Sequence, residues 1–194
     1  MNQQNSRMHR SKINPPIQTL RQHEPNHAIF ESLFGPDLIE RFDVYRIDDS
    51  NNNISPTDVS KQHPTTSSIT QTNKRKAIQT TKIKLGKKLN GHPQIIHGGI
   101  IALLFDEFMG WARAIVVPND GSSIYVTANL NVDYRSPLKE DCEISLTIYC
   151  DDDVGNDRVR NDTGKVKLFG VLMNQDGVVC AEATGLFVRV RSKL

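Results

Sequence analysis

The chain of 194 residues is poor in the features that would narrow its function at once. Cysteine is scarce. Cys142, Cys150 and Cys180 contain no Cys-x-x-Cys pair, and an odd count builds neither a complete disulfide framework nor a zinc knuckle. Cys142 and Cys150, read on one strand, stand roughly 26 Å apart at the usual rise, far beyond bridging distance. All three read as small buried hydrophobes of a reducing, intracellular compartment. Long hydrophobic runs are also missing. Ile100 to Phe105 stops at Asp106 and Glu107, well short of the roughly 20 residues that a membrane-spanning helix requires. A soluble protein is expected. Charge of one sign is absent: 24 basic and 22 acidic residues leave a net +2, without the basic excess of a dedicated DNA or RNA binder. No metal is expected, because no carboxylate or cysteine follows His92 and His97 at ligand spacing.

Two segments stand outside the expected core. Residues 1–27 read as a tail: Arg7, Arg10, Lys12 and Arg21 face no acidic residue before Glu24. That bias suits a mitochondrial presequence, whereas Pro15–Pro16 interrupts any amphipathic helix. Targeting segment and disordered tail both remain open, and with them cytoplasm or mitochondrion. Residues 50–73 contain fourteen Ser, Thr or Asn in 24 positions. Such a segment buries too little apolar surface to offset its ordering entropy, so a disordered polar insertion is expected there. Residues 28–194 then form a single domain.

Strands are expected at Arg41–Asp48 and Ala77–Leu85, after a short helical segment at Ala28–Leu33 and Pro36–Ile39 interrupted by Gly35. From His97-Gly98-Gly99 an apolar run continues to Val117, where Pro118 stops it, and its length favours a helix. Ile100, Ile101, Leu103, Leu104, Phe105, Phe108, Met109, Trp111 and Ile115 cover nearly its whole circumference, so other elements must wrap it. Four alternating stretches follow at Ile124–Tyr134, Cys142–Cys150, Lys165–Met173 and Val178–Val190. The first places Val126, Ala128, Leu130, Val132 and Tyr134 on one face and Thr127 on the other. Asn174-Gln175-Asp176-Gly177 reads as a hairpin turn. One long apolar helix and antiparallel strands give an α+β fold, a sheet curled around a central helix.

Two features of that helix point to chemistry. Gly98 and Gly99 at its start leave backbone N–H groups open to a closely approaching oxyanion, carbonyl or phosphate, and the helix dipole adds positive potential. Asp106 interrupts the apolar run, and a carboxylate there is either paired or functional. Its neighbour Glu107 points about 100° away. Nine helical residues from His97 to Asp106 rise roughly 13.5 Å, so one carbonyl group cannot touch both ends of the same helix. If both act on one substrate, they come from two subunits with antiparallel helices, as in a two-fold dimer.

His97-Gly98-Gly99 with Asp106, followed by Thr127-Ala128-Asn129-Leu130-Asn131 and Tyr134-Arg135-Ser136-Pro137, resembles the hotdog-fold acyl-CoA thioesterase superfamily over about residues 77–192. The likeness is to the eukaryotic thioesterase-superfamily members and to 4-hydroxybenzoyl-CoA thioesterases. The resemblance implies a curved antiparallel sheet around one helix and hydrolysis of a fatty or aryl acyl-CoA to free acid and coenzyme A, in lipid metabolism. It also implies a homodimer or dimer of dimers with sites at the subunit interface. Gly98 N–H would polarise the thioester carbonyl, with His97 fixing the loop and Gly99 binding substrate. Asp106 of the other subunit would act as general base or nucleophile, and Thr127 would place the water or the carboxylate. Arg135 matches a basic position of the motif and is the phosphate candidate. Some members carry an Asn six residues before the His; that position is Gly91, and Asn90 beside it is the substrate-binding candidate. Coenzyme A is part of the substrate, and no cofactor is implied. A non-catalytic acyl-CoA binding module on the same fold is the alternative. A hydratase of this fold would want a His five residues after the Asp, where Trp111 stands.

Overall fold

The computed structural model describes residues 10–13, 20, 26–47, 75–117, 123–151 and 164–191. The expected insertion at 50–73 and most of the expected tail lie outside the described residues. Among these residues nine strands and one long helix follow in the order β1 (Arg10–Lys12), β2 (Ile39–Ile47), β3 (Arg75–Leu85), β4 (Asn90–His92), β5 (Ile95–Ile96), α1 (Gly98–Val116), β6 (Ser123–Tyr134), β7 (Cys142–Asp151), β8 (Lys165–Asn174) and β9 (Val179–Arg191). Seven strands form one antiparallel sheet in the order β1-β2-β3-β7-β8-β9-β6, and β4 and β5 make a small hairpin. Arg10–Lys12, within the stretch read as a tail, pairs with Tyr45–Ile47, and Leu20 is buried. A single π-helical turn at Ala28–Ser32 stands where a longer helical segment was expected, and Ile39 already opens β2.

α1 lies across the inner face of the sheet. Ile101, Leu104, Phe105, Phe108, Met109, Ala112 and Val116 recur at helical spacing and are buried. Phe105, Leu104, Phe108 and Met109 meet a sheet surface that includes the fully buried Val44, Leu85, Leu146, Ile148 and Leu172. Burying each such side chain contributes about 1.5–3 kcal/mol, which is why the sheet closes on the helix. Gly170 and Gly185 make the approach possible. A Cβ at Gly170 would lie 2.8 Å from the Phe105 ring, and one at Gly185 would lie 2.8 Å from Met109 Sδ. The helix is not wrapped all round, however. Leu103, Asp106, Glu107, Gly110, Trp111 and Ala114 are only half-buried, so one side of it stays partly open.

The regular alternation expected in β6 breaks in the structure. Pairing with β9 runs Thr127 to Phe187 and then Asn129 to Leu186, so Ala128 is an extra, bulged residue. Before the bulge Tyr125 and Thr127 share a face with Phe187, and after it Leu130, Val132 and Tyr134 share a face with buried Ala183 and Ala181. The Val126 side, read as inward, points out instead, with Ile124 52% and Val126 40% exposed. β8 and β9 are joined by the expected turn. Asn174 Oδ1 accepts from Asp176 N–H and Val178 N–H at 3.0 and 2.9 Å, and Gly177 takes φ 78°.

Candidate active site

The start of α1 is held from several directions. His97, in extended conformation, is the N-cap, and its Nδ1 accepts from Gly99 N–H at 2.8 Å. That bond requires an unprotonated Nδ1. His97 N–H donates to Leu89 O at 2.8 Å, and His97 O accepts from Ile100 N–H at 2.9 Å. Tyr134 Oη, from the end of β6, donates to Gly98 O at 2.7 Å. Gly98 N–H is left with no acceptor among the described residues. A cavity of about 400 Å³ opens beside it, lined by His92, His97, Gly98, Tyr134 and Arg135 with an apolar floor of Ile95, Ile96, Ile101 and Leu138.

Two turns further along α1, Asp106 Oδ1 accepts from Thr127 Oγ1 at 2.6 Å. The bulge turns Thr127 toward the helix, and strict alternation would have sent it to the opposite face. Asp106 is half-buried and Thr127 exposed, and among the described residues no cation lies within ion-pair distance of this carboxylate. Asp106 and Thr127 are not among the residues that line the cavity at Gly98. Within one chain the two halves of the expected site are therefore separate. One is an unpaired amide beside an apolar cavity, and the other is a carboxylate with its hydroxyl.

The remaining candidates are placed as follows. Arg135 lines the cavity, but its Nε donates to Glu182 Oε2 at 2.8 Å and its Nη2 lies 3.6 Å from Asp133. Its charge is already met by two carboxylates. Gly99 is engaged by His97. Asn90 Nδ2 donates to Glu140, and its Oδ1 is buried without a partner among the described residues. Glu107, whose sequence gave no role, is 14% exposed and accepts from Trp111 Nε1 at 2.8 Å, with His27 Nε2 at 3.3 Å. Trp111 joins Phe30, Phe42 and Phe108 in an aromatic cluster. This second carboxylate thus fastens the helix to the π-helical turn, and the i,i+4 spacing of Glu107 and Trp111 was a sequence signal for it. Tyr134 was not singled out as a site residue; nothing local in the sequence tells what its hydroxyl meets. Among the described residues no group of three or more His, Cys, Asp or Glu could hold a metal ion.

A comparison with protein families matches residues 93–152 to the thioesterase superfamily. No curated protein matches the chain. Among solved structures, a Staphylococcus aureus protein in complex with CoA is similar at 14% identity and a TM-score of 0.49, covering 58% of this chain and 69% of that one. A Bacillus halodurans protein with CoA is similar at 24% identity and a TM-score of 0.47, covering 57% and 66%. A further thioesterase superfamily protein shares 29% identity at a TM-score of 0.46, covering 57% of this chain and 48% of its own. The segment that carries α1, β6 and β7 matches the thioesterase superfamily, and the antiparallel sheet curved over that helix is the hotdog fold.

Proposed function

We propose that the protein is an acyl-CoA thioesterase that hydrolyses a fatty or aryl acyl-CoA to the free acid and coenzyme A. The observation that carries this reading is the Asp106–Thr127 pair. A carboxylate in the middle of a core helix, half open, hydrogen-bonded to one hydroxyl at 2.6 Å and without a cation in reach among the described residues, is placed for a use beyond packing. Packing alone gives no reason to place it there.

The chemistry divides between two ends. The thioester carbonyl oxygen accepts from Gly98 N–H, where the helix dipole and the fixed amide stabilise the charge that develops on it. Asp106 takes a proton from water as the water oxygen bonds to the acyl carbon, or attacks that carbon itself. The C–S bond then breaks, and coenzyme A leaves as a thiolate that takes up a proton; where Asp106 has attacked, water hydrolyses the resulting anhydride, which releases the acid and restores the carboxylate. Thr127 fixes the orientation of the carboxylate. Gly98 and Asp106 are eight residues apart on one helix, a rise of roughly 12 Å, so the complete site draws Gly98 from one copy and Asp106 from another. The apolar floor of Ile95, Ile96, Ile101 and Leu138 suits an acyl chain. Arg135 contributes to phosphate binding only by exchanging its carboxylate partners for the phosphates.

The test is free-thiol release from a panel of short, medium, long-chain and aryl acyl-CoAs, with wild type beside Asp106→Asn. The expected result is turnover by wild type and a loss of at least roughly a hundredfold in kcat in the variant. If neither protein releases thiol while both bind acyl-CoA, the chain is a binding module on the same fold.

A further inference from the structure

We infer that Tyr134 is a positioning residue that sets the direction of the Gly98 amide. The inference rests on the reading that this amide meets the thioester carbonyl, and it extends that reading to a residue outside the His-Gly-Gly and Asp elements.

Two successive glycines are a poor foundation for a fixed dipole, because neither has a Cβ to limit its backbone rotation. The first turn of a helix adds to the difficulty, since its N–H groups have no partners within the helix. Side chains hold one of the two glycine peptides and backbone N–H groups hold the other. The peptide between Gly98 and Gly99 is gripped at both edges: Tyr134 Oη donates to its carbonyl at 2.7 Å, and its N–H donates to His97 Nδ1 at 2.8 Å. The preceding peptide, between His97 and Gly98, has its carbonyl bonded by Ile100 N–H at 2.9 Å and Ile101 N–H at 3.3 Å. Three of the four polar groups of these two peptides are thus tied. The fourth is Gly98 N–H, which borders the cavity with no acceptor among the described residues.

Tyr134 acts through its ring as well. A Cβ at Gly98 would stand 3.3 Å from Cζ and Oη, so the ring rests against the glycine and limits its tilt. The residue is itself anchored. Tyr134 pairs with Ala181 on β9, and the next residue, Arg135, donates its N–H to Cys180 O at 2.8 Å. A side chain 53% exposed on an edge strand nevertheless aims its hydroxyl at the backbone of the site. A preorganised donor stabilises developing charge because it needs no reorientation as the charge appears. Removing the hydroxyl leaves the donor present but loosens the peptide that follows it, and with it the φ and ψ of Gly98.

The experiment pairs kinetics with an observation that does not depend on turnover. Wild type, Tyr134→Phe and Tyr134→Leu are labelled with 15N-glycine, and amide shifts and hydrogen exchange are read for Gly98 and Gly99 against Gly110 in mid-helix. In Y134F the Gly98 resonance is expected to move and Gly99 exchange to quicken by about tenfold or more, with Gly110 unchanged. Thioester hydrolysis by Y134F is expected to lose roughly tenfold in kcat with KM within about twofold, and Y134L to lose more. Unchanged Gly98 and Gly99 signals, or full kcat in Y134F, overturn the inference while leaving the thioesterase reading in place. If wild type releases no thiol from any acyl-CoA, the thioesterase reading falls and the amide signals alone decide whether Tyr134 holds this peptide.

Discussion

A hydroxyl and a carboxylate 2.6 Å apart make Thr127 the partner that fixes which Asp106 oxygen is free. Thr127→Ala is expected to lower kcat by about tenfold with little change in KM, and Thr127→Ser to restore most of it, in the same thiol-release assay. Cys142 shows the opposite use of burial. Exclusion from water pushes its thiol up to about 11 from an ordinary 9.0. The folded chain therefore keeps the neutral thiol where the unfolded chain releases its proton. That contribution is complete below about pH 9 and is lost as pH rises toward 11. Urea midpoints of wild type and Cys142→Ala compared across that window are expected to show wild type losing up to roughly 2–3 kcal/mol more. At neutral pH, alkylating reagents should leave Cys142 unmodified until the protein unfolds. Gly98 and Asp106 were legible as single residues, from a glycine pair before an apolar run and a charge inside one. Tyr134 was not assigned, because its role depends on what the fold places opposite it, and of the Glu107 contacts only the i,i+4 one to Trp111 was local.

Elements were legible to the extent that periodicity marks them. The helix and the four strands after it emerge within a residue or two of their observed ends, because a core demands apolar residues at 3.6 or 2. The position of the bulge, at Ala128, was not legible. Val126, Ala128 and Leu130 continue an unbroken alternation in sequence, and only pairing with β9 shows that one residue too many lies between Thr127 and Asn129. The faces assigned upstream of it were reversed for that reason. Contact between helix and sheet also depends on glycines whose purpose appears only in three dimensions. Gly170→Ala places a methyl 2.8 and 2.9 Å from the rigid Phe105 ring and is expected to cost about 1–3 kcal/mol in urea unfolding. Gly185→Ala presses first on Met109 Sδ, a flexible thioether, and is expected to cost less.

At the scale of the whole molecule, two features lie side by side: the partly open side of α1, carrying Asp106, and β6, which pairs only with β9 among the described strands. Its outer face shows Ile124 and Val126. If a second copy completes the site, two dead variants should repair each other. Asp106→Asn supplies Gly98, and Gly98→Val supplies Asp106. Mixed after denaturation and refolding, half of the dimers are mixed and each has one of two sites intact, so about a quarter of wild-type activity is expected. Activity no higher than that of the separate variants would place Gly98 and Asp106 in independent roles. Sequence by itself determined the elements and the two chemical groups, because periodicity and a charge in an apolar run are local properties of the chain. Only the tertiary structure decided that Thr127 meets Asp106, that Tyr134 grips Gly98 and that His27 lies beside Glu107. Each of those contacts joins two elements, and its geometry follows from strand register, a bulge and the seat of the helix on the sheet.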